Sequence, residues 1–299
     1  MCDIYDAVVV SRRQLITGTL AAFGSGSAAA LLVGCGSDEP TTALANLNVV
    51  QRFPQMLVPG EVRAPISLAD VDGVVTVARA ASIPSTLTAR LLNAQTGALI
   101  VEGISATRHD EGLEAPYWPF RFTVSEPGIY TLIIDGAQET GAAVQVSERS
   151  EILVPLVGDA MPGFDTPTFD NPRGVDPICT RSPEPCPMHD VTLNEALALG
   201  KPVAYLVGTP AYCSTGTCSP AMEGLLAVRD RVGDAMTFVH AEIYTDSTVS
   251  TVAPAVTALN MTYEPALYIT DATGTLVERL DAVFDAREIN EVLERFELV

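Results

Sequence analysis

The chain has 299 residues, of which 47% are hydrophobic and 18% charged. That is enough apolar content to fill roughly two domains of ~150 residues, and too much for a disordered chain. A net charge of -20, from 37 Asp and Glu against 17 Lys and Arg, excludes nucleic acid and other partners gripped through phosphates, which need clustered basic side chains.

The first 34 residues read as an export signal, to be set aside before any fold is argued. Ser11-Arg12-Arg13-Gln14-Leu15-Ile16 leads into an apolar stretch, residues 15–33, diluted by Gly, Ser and Thr. It resembles a twin-arginine signal. Leu32-Val33-Gly34-Cys35 resembles a lipobox, in which cleavage before Cys35 exposes the thiol that is acylated. The expectation is a chain held by acyl groups on the extracytoplasmic face of the cell membrane. Residues 35–46, small and polar, form the tether. With Cys2 discarded and Cys35 lipidated, four cysteines remain: Cys179, Cys186, Cys213 and Cys218. An even number suits an oxidising compartment.

Residues 47–150 read as an all-β sandwich. Short β-rich runs at residues 74–77, 86–92, 120–124 and 130–134 are punctuated by Pro59-Gly60, Asp72-Gly73, Pro127-Gly128 and Asp135-Gly136. About seven short strands in ~100 residues suggest an immunoglobulin-like sandwich, filled by Tyr117, Trp118, Phe120 and Phe122. His109, beside Asp110 and Glu111, reads as a solvated loop residue.

Residues 151–299 alternate helix and strand. Thr192-Leu193-Asn194-Glu195 is a capping box opening a short helix. Val203–Val207 is a continuous apolar run suited to a buried strand. Cys213-Ser-Thr-Gly-Thr-Cys218 follows, and Ser219-Pro220 starts a helix carrying Met222, Leu225 and Leu226. Further strands are read at 236–244, Ala266–Thr270 and 276–280, with helices at 252–259 and around Ile289, Val292, Leu293 and Phe296.

This order, with a cysteine-bearing loop between a buried strand and a helix, and Pro265 opening a later strand, resembles the thioredoxin-like superfamily. The resemblance implies that Cys213, Cys218 and Pro265 come together, with Pro265 in the cis-proline position. It implies a thiol–disulfide oxidoreductase acting on the thiols and disulfides of envelope proteins, with no cofactor and no metal ligands assigned. The spacing departs from the family: C-x-x-x-x-C replaces C-x-x-C, and Val207-Gly208 stands where a buried carboxylate is usual. Laying Cys218-Ser219-Pro220-Ala221 on the family motif makes Cys218 the nucleophile and Cys213 its resolving partner. Two readings compete with redox activity: a binding or scaffold lipoprotein braced by Cys179–Cys186 and Cys213–Cys218 disulfides, and a copper-assembly chaperone drawing on these Cys pairs, His189 and His240. His240, in an alternating strand, reads as a core or edge histidine.

Overall fold

The computed structural model describes residues 44–299. The export signal, Cys35 and most of the tether lie outside the described residues. Strict alternation of side chains builds the first module. On β6 (Trp118–Val124), Trp118, Phe120, Phe122 and Val124 point inward, and Pro119, Arg121 and Thr123 do not. The same period buries Leu87, Ala89 and Leu91 of β4 (Thr86–Asn93) and Ala142, Val144 and Val146 of β8 (Ala142–Val146).

Two four-stranded antiparallel sheets result. In the first, β2 (Gly60–Asp70) pairs with β1 (Asn48–Gln51), β3 (Gly73–Val74) and β6. The second runs β5 (Leu99–Thr107), β4, β7 (Gly128–Ile134), β8. Their inward residues share one apolar core. The run at 74–77 is not one strand: β3 stops at Val74, and Val77–Ser82 winds into a 3-10 helix. Its Ala-rich sequence has little strand preference.

The second module is a sheet of order β10 (Thr237–Ala241), β9 (Val203–Val207), β11 (Ala266–Thr270), β12 (Leu276–Asp281). β9 and β10 are parallel, while β11 runs antiparallel to both β9 and β12. Every residue of β9 and β11 is buried, because helices cover both faces. Ala204, Leu206, Leu267 and Ile269 face α2 (Cys218–Val232) and α4 (Ala286–Arg295). Val203, Tyr205 and Tyr268 face α1 (Leu193–Ala198) and α3 (Pro254–Ala258). This strand order, with its directions and two-sided helices, is a thioredoxin-like arrangement. The capping box of α1 forms as its sequence requires: the Glu195 N–H donates to Thr192 Oγ1 (3.1 Å) and the Thr192 N–H to Glu195 Oε2 (2.8 Å). Among the described residues, no helix is long and apolar enough to cross a membrane.

A buried polar seam joins the modules at the start of α4. Arg63 of β2 grips Glu288 through two hydrogen bonds (2.6 and 2.7 Å) and donates to the Val283 carbonyl (2.6 Å). Tyr117 donates to the same carboxylate at 2.6 Å. His109 is here as well, only 2% exposed, with Nδ1 2.8 Å from Asp285 Oδ1. The solvated loop position expected for His109 is therefore wrong. Its partner lies 176 residues downstream, where Asp285 caps α4, and local polarity carried no trace of it.

Candidate redox site

The loop from β9 to α2 brings the first pair of cysteines together. Cys218 is the first residue of α2 and is buried, while Cys213 is half-exposed at the loop's turn. Helix α2 has no side-chain cap, so its first N–H groups lack intrahelical partners. One of them, on Cys218, donates to Cys213 Sγ at 3.4 Å. Thr215 Oγ1 lies 3.1 Å from the same sulfur.

These contacts decide which thiol ionises. The Cys218 thiol donates to Cys213, and, against the cost of partial burial, the Thr215 hydroxyl and the Cys218 N–H add to its effect. Together they push the Cys213 thiol down from 9.0 to about 4. Cys218 moves the opposite way, because its proton is held by Cys213 and because it is buried. The sequence reading made Cys218 the nucleophile; here Cys213 is the more acidic and more exposed of the two thiols. The helix terminus does stabilise a thiolate, but the loop curls back to present Cys213, not Cys218, to the free N–H groups.

Pro265 is buried, follows a cis peptide bond and opens β11 beside the loop. Gly208 makes the fit possible: a Cβ there would sit 3.3 Å from Pro265 Cβ and 3.6 Å from Cys218 Sγ. The structure therefore gathers Cys213, Cys218 and Pro265, which the sequence had singled out.

It also adds Glu264, which the sequence reading missed. One carboxylate oxygen of Glu264 lies within 4.8 Å of both sulfurs. Its Oε2 is buried without a hydrogen-bond partner. Burial and the neighbouring Cys213 thiolate push its carboxyl up to about 7. A carboxyl of that strength can give or take a proton near neutrality. The carboxylate missing at Val207-Gly208 is supplied from across the sheet. The one available signal was its position immediately before Pro265.

A groove of about 570 Å³ opens alongside, lined by Ser214, Thr215 and Glu264 from the redox loops and by Gln51 to Pro54 from the β-module. Its mixed walls suit an extended peptide segment.

The expected disulfides are not formed: all four cysteines of the described residues are free thiols. Cys179 and Cys186 are neighbours, the Cys186 N–H donating to Cys179 Sγ at 3.3 Å. They lie in a separate cluster with His189 and His240, behind Gly208. His240 is a buried residue of β10, as its alternating strand implied.

No family model matches the sequence, and no curated protein matches it. Two solved structures are similar in part. One is a thiol:disulfide interchange protein of the thioredoxin family from Chlorobium tepidum TLS, 13% identical, with 47% of this chain and 97% of that one covered at a TM-score of 0.33. The other is a DsbF homologue from Corynebacterium diphtheriae, also 13% identical, covering 48% of this chain and 90% of its own at a TM-score of 0.33.

Proposed function

We propose that the protein is a thiol–disulfide oxidoreductase that passes its Cys213–Cys218 disulfide to partner proteins. The observation that carries this reading is the polarised pair: a half-exposed thiol held as thiolate at Cys213, backed by a buried, protonated Cys218. A thiolate this acidic is a good leaving group and stabilises the reduced form, which makes the disulfide oxidising.

The cycle begins with the Cys213–Cys218 bond formed. A partner thiolate attacks Cys213 Sγ, the S–S bond breaks, and Cys218 leaves with the electron pair. Protonated Glu264 supplies the proton that Cys218 takes up. The partner's second thiolate then attacks its own sulfur in the mixed disulfide, and Cys213 leaves as thiolate. The partner loses two electrons, and the pair gains them as one thiolate and one thiol. The groove lined by Ser214, Thr215 and Glu264 supports extended docking of the partner segment.

The β-module supports the finer reading as immunoglobulin-like. One sheet takes its first, second, third and sixth strands, and the other its fifth, fourth, seventh and eighth, an order in which the chain crosses between sheets as in such sandwiches. Its Gln51 to Pro54 segment forms one wall of the groove, so it acts as part of the partner-binding surface. Export through the twin-arginine route and acylation at Cys35 complete the proposal, on the strength of residues 11–35, and make envelope proteins the partners.

The test is trapping in cells with Cys218→Ser, which leaves Cys213 with no internal partner. Stable, reductant-sensitive adducts through Cys213 to extracytoplasmic proteins are expected. A Cys218→Ser chain that forms none, together with a pair that dithiols do not reduce in vitro, would leave only a binding protein.

A further inference from the structure

The long segment between Glu151 and Leu193 contains neither helix nor strand. Loops of that length in a compact fold are uncommon unless something ties them down. Part of the tie is backbone pairing along the open edge of β10: the His240 N–H donates to the Met188 carbonyl (2.9 Å), and the Asp176 N–H to the Thr245 carbonyl (2.8 Å). These bonds leave the stretch from Cys179 to His189 wrapped over a point where four metal-ligating side chains meet.

We propose that Cys179, Cys186, His189 and His240 bind one zinc ion in a closed, tetrahedral site. One ligating atom from each lies within 4.8 Å of every other, and all four residues are buried, three of them at 0% exposure. The spacings can be checked against the ion. Zinc bonds of about 2.3 Å to sulfur and 2.0–2.1 Å to nitrogen, at tetrahedral angles, place nitrogens about 3.4 Å apart and sulfur about 3.6 Å from nitrogen. His189 Nε2 lies 3.1 Å from His240 Nδ1, and Cys186 Sγ lies 3.5 Å from His240 Nδ1. These two separations are close to the corresponding edges of the coordination tetrahedron.

The His240 imidazole is also set for ligation. His240 Nε2 lies 3.0 Å from the Gly208 carbonyl, which can only accept. That ring nitrogen therefore carries the proton, and Nδ1 turns its lone pair into the cluster. Without the ion the two facing imidazole nitrogens can share one hydrogen bond at 3.1 Å; with it, both turn lone pairs to the metal beside the two sulfurs. Two thiolates and two neutral imidazoles around a divalent ion sum to zero charge, which a buried site requires. Four protein ligands leave no open position, so the ion braces the fold. It pins the irregular segment to β10, and through His240 it steadies Gly208, which packs against Cys218 and Pro265. Binding displaces the thiol protons: one Zn2+ and two thiols give a zinc dithiolate and two H+.

The probes are Zn2+ and Co2+ added to the full-length chain, purified reduced and stripped with a chelator. One equivalent of zinc with release of roughly two protons is expected, and cobalt should give the intense visible bands of a tetrahedral site together with thiolate charge transfer. The Cys213→Ser/Cys218→Ser double variant should keep the full equivalent, so this outcome stands apart from the fate of the redox reading. His240→Gln and Cys186→Ser should each weaken zinc binding more than about 100-fold, beyond what losing an outer hydrogen bond does. Wild-type protein that binds no zinc when reduced, or whose cobalt spectrum is weak and octahedral, overturns the proposal without reliance on any variant. So does zinc that persists in His240→Gln but disappears in the Cys213→Ser/Cys218→Ser chain.

Discussion

Alkylation kinetics of reduced protein read the polarised thiol pair directly. Cys213 is held at about 4 against an ordinary 9.0. At about pH 6 an ordinary thiol is ~0.1% thiolate and Cys213 essentially all thiolate, a gain of about 10³ in reactive species. Intrinsic nucleophilicity falls as the thiol becomes more acidic, and a Brønsted slope of ~0.4–0.5 over the whole displacement removes about 10²–10²·⁵ of that gain. The net advantage is therefore small, ~3–10-fold, and the rate at a single pH is a poor witness. The pH profile is the better one. Between about pH 5.5 and 8, iodoacetamide should label Cys213 at a nearly constant rate, because the thiolate is already fully formed; an ordinary thiol would speed up about tenfold per pH unit. Peptide mass analysis after brief labelling should show Cys213 modified well before Cys218, which is buried and protonated. A tenfold rise per pH unit at Cys213, or Cys218 reacting first, would refute the hydrogen-bond reasoning and return the nucleophile to the first residue of α2.

Replacing Glu264 with Gln removes the proton donor to Cys218, so partner oxidation should slow about 10²-fold. Burial holds the Glu264 carboxyl above the ordinary carboxylate range, so oxidation of a partner by the wild-type disulfide should slow as rising pH removes that proton, and the Gln variant should lose that dependence. Arg63→Met removes the two-point partner of the buried Glu288 carboxylate, leaving it Tyr117 and the more distant Arg121, and should cost about 3 kcal/mol in urea unfolding, much of it regained in Arg63→Met/Glu288→Leu; equal losses in both variants would assign the effect to packing. Burial alone would raise Glu288, yet the Arg63 guanidinium and the Tyr117 hydroxyl hold it below the ordinary carboxylate value. Its contribution is thus full above that value and disappears as acid carries the pH down through the folded one, a loss that thermal melts should show in wild type and not in the double variant. Cys35→Ala should abolish acyl labelling and release the chain from membranes; acylation that persists in that variant would end the lipobox reading.

Local patterns determined much of this architecture. Inward alternation at Trp118, Phe120 and Phe122 marked a half-buried strand, the continuous run Val203–Val207 a doubly covered one, and Thr192 with Glu195 the start of α1. Each of these rests on neighbours within a few residues, where periodicity and backbone hydrogen bonding leave their imprint. The cysteine pairs could be singled out by residue type and spacing, and Pro265 through the thioredoxin-like resemblance. What those residues do was decided by the tertiary structure. The acidity of Cys213 comes chiefly from the Cys218 thiol that the loop sets beside it, with Thr215 and a backbone N–H adding to it, and composition does not encode that placement. Glu264 reaches the sulfurs from the bend that precedes β11. His109 is buried because Asp285 caps a helix 176 residues later. His240 read as an ordinary core histidine until the fold set His189 and two thiols against it. Burial and hydrogen-bond partners control whether a titratable group is charged, reactive or able to ligate, and both are properties of surroundings assembled from distant parts of the chain.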